Sequence, residues 1–201
     1  MVIIGYSGHA FVVCGILRAA KRPITGYCDK EEKSFNPFAL RYYGSEHAED
    51  ALREMKEYGC FIAIGINSLR NGIYEELSLQ RVRFHNVIHP SAVIDTSAKL
   101  SDHVVMVAAN ATINPLARIG TGVICNTGCI IEHECIVEDF AHIGPGAVLC
   151  GNVTVGRQSF IGANAVIRQG ITIGANATIG AGSVVISNVP DNVTVVGVPA
   201  K

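Results

Sequence analysis

The chain has 201 residues, 49% of them hydrophobic, and sets 16 Lys and Arg against 17 Asp and Glu for a net charge of −1. That balance excludes the basic field that broad nucleic-acid binding needs. No stretch supplies the roughly eighteen uninterrupted apolar residues of a membrane span, and the opening MVIIGYSG has no basic leader, so the sequence reads as a cytoplasmic protein.

In chain order, Val2-Ile3-Ile4 reads as a buried parallel strand, Gly5 to His9 as a glycine turn and Ala10 to Ala20 as a helix. A second strand runs Ile24 to Cys28 and ends at Asp29. Ser45 is placed as the cap of a helix reaching Tyr58, with His47 and Ala48 in its first turn. Phe61 to Ile64 reads as a third strand followed by Gly65-Ile66-Asn67. Ser68 is placed as the cap of a helix to Leu79, and Phe84 to Ile88 as a fourth strand. Alternating strands and helices imply a parallel sheet with right-handed crossovers. Four strands make half of a Rossmann domain, a size suited to a mononucleotide, over residues 1–86.

From His89-Pro90 onward the pattern changes. Every sixth residue from Val107 to Val185 is aliphatic, Cys125 excepted, with a small or β-branched partner two residues earlier: Val105 before Val107, Ala111 before Ile113, Val123 before Cys125. Six residues advance about 600° around an α-helix, so no helix gathers them on one face. A β-solenoid does, with one inward aliphatic per wall. Ile88, Ile94 and Leu100 keep the spacing one residue out of phase, which requires an inserted residue before Val107 and starts the solenoid near Val87. Residues 87–201 then form roughly five coils. Corner glycines such as Gly120, Gly122, Gly128, Gly144, Gly162 and Gly180, and Asn176, are assigned to positive φ. Phe160 is too large for the interior and is placed outside. Seven cysteines, an odd number, read as reduced thiols, with Cys125, Cys129 and Cys135 as small buried hydrophobes.

Two stretches carry chemistry. The turn Gly5-Tyr6-Ser7-Gly8-His9 offers backbone N–H groups and a helix N-terminus to a pyrophosphate, with Asp29 at the next strand end for ribose or base. Its spacing is not G-x-G-x-x-G, and a ligand-free tight turn also fits. Gly65 and Asn67 would line the same crevice. In Asn126-Thr127-Gly128-Cys129-Ile130-Ile131-Glu132-His133-Glu134-Cys135, carboxylates flank an imidazole, an arrangement suited to a general base. Either Glu132 or Glu134 supports the ring. His142 follows nine residues later.

These pieces together, with IAIG-x-N, CGNV and the terminal GVPAK, resemble the bacterial nucleotide-amino-sugar N-acetyltransferases of the PglD–NeuD group, within the hexapeptide-repeat acyltransferases. The resemblance implies an α/β half-Rossmann-like domain followed by a left-handed parallel β-helix. It implies acetyl transfer from acetyl-CoA to the amine of a nucleotide-linked sugar, UDP being the expected nucleotide, in glycan precursor synthesis. His133 matches the base and Glu134 its supporting carboxylate. His142 and Gly151 match positions beside the thioester, and Ala163, Gly180 and Ala181 positions along the pantetheine arm. Ser7, Gly8, His9, Asp29, Lys30 and Gly65 match nucleotide and sugar contacts. No metal is expected. A homotrimer with sites between subunits is implied, its flat walls sheltering aliphatics such as Val123 and Val166. Rival readings are a sialic acid O-acetyltransferase, a zinc lyase like the gamma carbonic anhydrases, and a non-catalytic sugar-binding protein.

Overall fold

A computed structural model describes residues 1–201. The first part is a four-stranded parallel sheet ordered β3-β2-β1-β4, with β1 Val2–Ile4, β2 Gly26–Cys28, β3 Arg41–Tyr42 and β4 Cys60–Ile62. Helices α1 (Gly8–Ala19), α2 (Glu49–Tyr58) and α3 (Asn67–Leu79) pack around it. Strand residues Val2, Ile3, Phe61 and Ile62 are buried because helices cover the sheet, as parallel sheets require.

Several boundaries differ from the sequence reading. The fourth strand is Arg41–Tyr42, two residues inside what reads as a loop. Phe84 makes only a bridge to Cys60, and Val87–Ile88 leaves the sheet to start the solenoid. Ser45 caps nothing: α2 starts at Glu49 after Ala48, and the stretch from Gly44, at φ 88°, is a turn closed by the Ala48 N–H on the Ser45 carbonyl. Ser68 lies inside α3 rather than capping it, with Ile66 at the cap position.

The solenoid stacks two-residue strands into three walls. Seven strands form the first wall, including Met106–Val107, Ile124–Cys125, His142–Ile143, Phe160–Ile161 and Thr178–Ile179. Six form the second, with Ile130–Ile131, Val148–Leu149 and Val166–Ile167, and five the third, with Arg118–Ile119 and Ile136–Val137. One strand per wall per coil gives about six coils, one more than expected. Partners sit 18 residues apart through most of the stack, as Ile124 with His142; the step is 19 across the inserted residue, where Ile88 pairs with Val107 and Leu100 with Ile119, and 16 at the last coil, where Thr178 pairs with Thr194. The sixfold aliphatics and their small partners fill the interior; Val123 is among them, fully buried, and is not the exposed aliphatic assigned to a trimer face.

Left-handed φ recurs every sixth residue from Val104 to Gly182, at Asn110, Leu116, Gly122, Gly128, Glu134, Phe140 and onward. Gly120, Gly144, Gly162 and Gly180 do not lie there. They follow the inward aliphatic directly, where the next coil lies close: a Cβ on Gly162 would stand 2.5 Å from the Ala181 nitrogen, and one on Gly180 2.7 Å from the Val196 side chain. Phe160 faces outward, 37% exposed.

The N-terminal part docks on the outer face of the first wall. Outward residues Met106 and Ile124 belong to the same apolar cluster as Ile3, Leu17 and Phe61. This docking decides which solenoid residues face the crevice.

Candidate functional site

Four groups of residues emerge, and they do not coincide. The first is a crevice of about 250 Å³ at the carboxyl ends of β1 and β2, lined by Ser7, Asp29 and Lys30 with Gly5, Tyr6 and Ile64. Gly5 sits at φ 81°, and a Cβ there would strike Ile64, so the turn requires glycine. Phe11 N–H returns to the Ser7 carbonyl, leaving the first N–H groups of α1 open to an anion. Ser7 is exposed, and a Cβ on Gly8 would meet nothing within 4 Å, which leaves room for a ligand. Asp29 is engaged: Oδ2 accepts from Tyr6 N–H at 2.8 Å, and Oδ1 accepts from Lys30 N–H at 2.7 Å and pairs with Lys33 at 3.1 Å. Ile66, in the Gly65-Ile66-Asn67 stretch expected to line this crevice, does so; Glu46 and Leu69 line it too, and sequence reasoning passed over them because they lie in a turn and at a helix start that it assigned differently.

The second group lies at the seam between the N-terminal part and the first wall. His9 at the start of α1 faces His142 on the wall, ring centroids 6.1 Å apart, and Gly65 lies beside both. His142 is 8% exposed and meets Phe160 edge-on at 5.1 Å. Asn126 Oδ1 accepts from Thr127 N–H at 2.8 Å, so its Nδ2 faces His142 Nε2 at 3.1 Å. That makes Nε2 the acceptor and places the ring proton on Nδ1. Burial holds His142 down to about 3, helped by Arg70 and His9 and opposed by the Gly65 backbone. Burial and then Arg70 hold His9 down to about 4. Both rings are therefore neutral at pH 7. Asn67, expected to face the crevice, instead turns its amide onto the solenoid, donating to Gln158 O at 2.9 Å and Ser159 O at 3.1 Å.

The third group stands on the corner between the second and third walls, opposite the first wall. His133 is half exposed, and its Nδ1 lies 3.2 Å from Glu134 Oε2. Glu134 occupies the left-handed corner position at φ 60°, which turns its carboxylate onto the ring. Of the two flanking glutamates, Glu134 makes the contact. One coil on, Gly151 packs against the Cε1–Nε2 edge of the imidazole so closely that a Cβ there would overlap it. The Gly151 N–H donates to no acceptor in the chain. The fourth group, Ala163, Gly180 and Ala181, occupies successive coils on the corner between the first and second walls, where Gly162 allows the backbones to touch.

A wider open groove of about 770 Å³ crosses the third wall past Lys99, Arg118 and Arg157, and no expected residue lines it. Within one chain, no three His, Cys, Asp or Glu side chains converge as metal ligands. All seven cysteines are free thiols, with Cys125, Cys129 and Cys135 buried. No helix is long and apolar enough to cross a membrane. The sequence reading missed Arg70, whose guanidinium is fully buried at the seam. Its signal was present: Arg70, Ile73 and Leu77 fall on the buried face of one helix.

Residues 1–77 match the PglD N-terminal domain, and residues 134–169 and 152–187 match the bacterial transferase hexapeptide (six repeats). The UDP-N-acetylbacillosamine N-acetyltransferase of Bacillus subtilis (strain 168) is 36% identical over 110 residues, which are 54% of this chain and 51% of that protein. The match thus spans about half the length of this curated relative. A histidine-to-asparagine variant of perosamine N-acetyltransferase from Caulobacter crescentus, in complex with CoA and GDP-perosamine, is 37% identical with a TM-score of 0.92, covering 100% of this chain and 94% of that one. The acetyltransferase domain of PglB from Neisseria gonorrhoeae FA1090, in complex with acetyl coenzyme A, is 31% identical with a TM-score of 0.92, covering 100% and 97%.

Proposed function

The chain belongs to the bacterial sugar N-acetyltransferases that join a PglD N-terminal domain to a left-handed hexapeptide-repeat β-helix, and we propose that it moves acetyl from acetyl-CoA to the amine of a nucleotide-linked amino-deoxy sugar. The observation that carries this reading is the division of the site. His133 stands on the corner opposite the first wall, whereas His142 and the crevice lie on the first-wall side. A threefold axis along the coil direction, with the second walls turned inward, sets each chain's His133 corner against its neighbour's Ala163–Gly180 corner. Four successive outward residues of the second wall, Ile130, Val148, Val166 and Val184, are apolar and suit that interface. Residues 1–86 then hold the nucleotide and residues 87–201 supply the base and the acetyl-CoA channel. A reaction drawing on acetyl-CoA places the chain in the cytoplasm.

In the transfer, Glu134 holds the proton of His133 on Nδ1 and leaves Nε2 as the base. The amine attacks the thioester carbonyl, the C–N bond forms and Nε2 takes the amine proton. The C–S bond then breaks, and the proton passes from Nε2 to the departing thiolate. Gly151 N–H, which donates to no acceptor in the chain, supports the oxyanion; one such donor is worth about 3 kcal/mol. An unprotonated amine needs no acyl-enzyme, because position and deprotonation supply the catalysis.

The relatives' names carry both UDP and GDP, so the test is acetyl-CoA consumption against UDP-, GDP- and dTDP-amino sugars, with UDP first and sialic acid as the outgroup. Turnover of a nucleotide amino sugar is expected; turnover of sialic acid alone would overturn the acceptor. A second test mixes His133→Ala chains with Asp29→Asn chains. Random association restores a functional pairing at about a quarter of interfaces if each site draws on two subunits. No recovery in mixed trimers would place the whole site in one chain.

A further inference from the structure

The seam is held by a charge with no counter-charge. Arg70 on α3 is fully buried, and no carboxylate pairs with it. Its Nε donates to Gly122 O at 2.8 Å, one terminal nitrogen to Ile64 O at 2.9 Å and Gly65 O at 3.2 Å, and the other to Asn67 Oδ1 and Phe140 O, both at 2.8 Å. Asn67, so oriented, donates to Gln158 O at 2.9 Å. Gly122, Phe140 and Gln158 are the left-handed corner residues of three successive coils. Arg70 and Asn67 therefore read one column of corner carbonyls, the same position on each coil. Buried charges are costly and are normally paired with an opposite charge, and apolar residues of similar volume would seal the seam as well. A guanidinium with every donor directed is better explained by what stands beside it.

We propose that Arg70 is a positioning residue for the transfer reaction: it locks the nucleotide-binding part onto three coils and thereby sets His9 and His142 where acceptor and thioester meet. This rests on the acetyl-transfer reading above and adds a residue to it that touches neither substrate. The geometry is direct. Arg70 grips the Ile64 and Gly65 carbonyls at the end of β4, and Gly65 is the residue lying beside both imidazoles. Each imidazole keeps one buried nitrogen without a partner, His9 Nε2 and His142 Nδ1. The charged or titratable groups facing His142 are Arg70 from α3 and His9 from α1; Arg70 and His142 face His9. Asn126 and Phe160 complete the surroundings of His142 without charge. The field of Arg70 thus adds to burial in keeping both rings neutral, able to meet a polar ligand group without bringing a charge.

Two readouts test this on the full-length protein. The first is kcat per bound CoA, which discounts any misfolded fraction. Arg70→Lys keeps the charge but loses the five-donor fork, and kcat should fall at least about tenfold, the scale of a misplacement well under 1 Å, with KM for acetyl-CoA within about twofold. An unchanged kcat per site in Arg70→Lys would overturn the proposal. The second readout needs no acceptor: titration of the His9 and His142 ring protons by NMR. Asn67→Ala loosens the dock and leaves the charge, and should leave both rings neutral down to pH 5. Arg70→Met should bring both titrations up by a resolvable amount. Equal titrations in the two variants, or no movement in either, would remove the electrostatic part of the role. Absence of turnover in the native protein, by contrast, would count against the acetyl-transfer reading and leave the NMR comparison standing.

Discussion

Gly151→Ala separates chemistry from folding at a single atom. The backbone of Gly151 lies outside the left-handed region, so alanine fits its conformation. The added methyl overlaps Cε1 and Nε2 of His133, the far end of a half-exposed side chain. Restoring the ordinary 3.5–4.0 Å carbon separation requires the imidazole to retreat by about 1 Å or more. A shift of that size at the reacting centre costs about 100-fold in rate. Folding should hardly notice: Gly151 is buried, but the atoms nearest its new methyl belong to the end of a half-exposed side chain that can swing outward, and removing a glycine from the unfolded chain works in the protein's favour. Gly162→Ala is the contrast, because its Cβ would meet backbone at 2.5 to 2.7 Å on the next coil, where nothing can rotate away. It should cost about 1–3 kcal/mol as an overpacked core does. Steady-state kinetics beside thermal melts read both. Full turnover in Gly151→Ala would refute the placement of the base, and a melt lowered as far as that of Gly162→Ala would refute the claim that only the imidazole yields.

His133→Ala should lower kcat by about 100- to 10,000-fold with little change in KM for acetyl-CoA; Glu134→Ala should cost less, since the base remains, and high pH should partly rescue the His133 variant by freeing the amine. Near-normal turnover of His133→Ala at neutral pH would refute the assignment of His133 as the base. Val148→Glu or Val166→Glu places a charge among the outward apolar residues of the second wall, and light scattering should then report monomers without activity; an intact active trimer would put the interface on another wall. Acid should weaken the fold. Free imidazole titrates near 6.5, while His142 is held to about 3 and His9 to about 4, first by burial. Between about 4 and 6.5 the unfolded chain binds more protons, so stability is full above that window and is lost as pH falls. The loss for His142 is on the order of 2 kcal/mol at pH 5. Thermal melts at pH 7 and 5 should show it, and His142→Asn should flatten the difference.

The solenoid was legible because a six-residue period has only one physical source, and even the odd member Cys125 proved fully buried in sequence with its neighbours. The corners were half legible. Glycine marks two distinct needs, positive φ at Gly122 or Gly146 and close backbone stacking at Gly144 or Gly162, and composition cannot separate them. Leu116, Phe140 and Gln158 occupy the left-handed position without any sequence signal, their strain carried by the stacked hydrogen bonds of adjacent coils. In the N-terminal part, β3 escaped notice because two residues of strand cannot show a period. Asn67 was read as facing the crevice because it follows a strand end; its contacts to Gln158 and Ser159 are more than 90 residues away in the chain and leave no local trace.

The spacing between the two histidines held more than it first gave. His133 and His142 are close in sequence, which invites a single-site reading. Yet strand partners repeat at 18 residues, so a separation of nine is half a coil, and residues half a coil apart project from opposite sides of a triangular prism. No rotamer brings them together, because the interior between them is filled by Ile131, Val137 and Ile143. A chain that places its candidate base on one edge and its acceptor crevice against the opposite wall can unite them only by borrowing an edge from a neighbour. Arg70 gains its importance from the same arithmetic: if the base comes from another subunit, the nucleotide-binding part must be held rigidly on its own solenoid, since any slippage at the seam moves the acceptor away from a partner it does not touch within the chain.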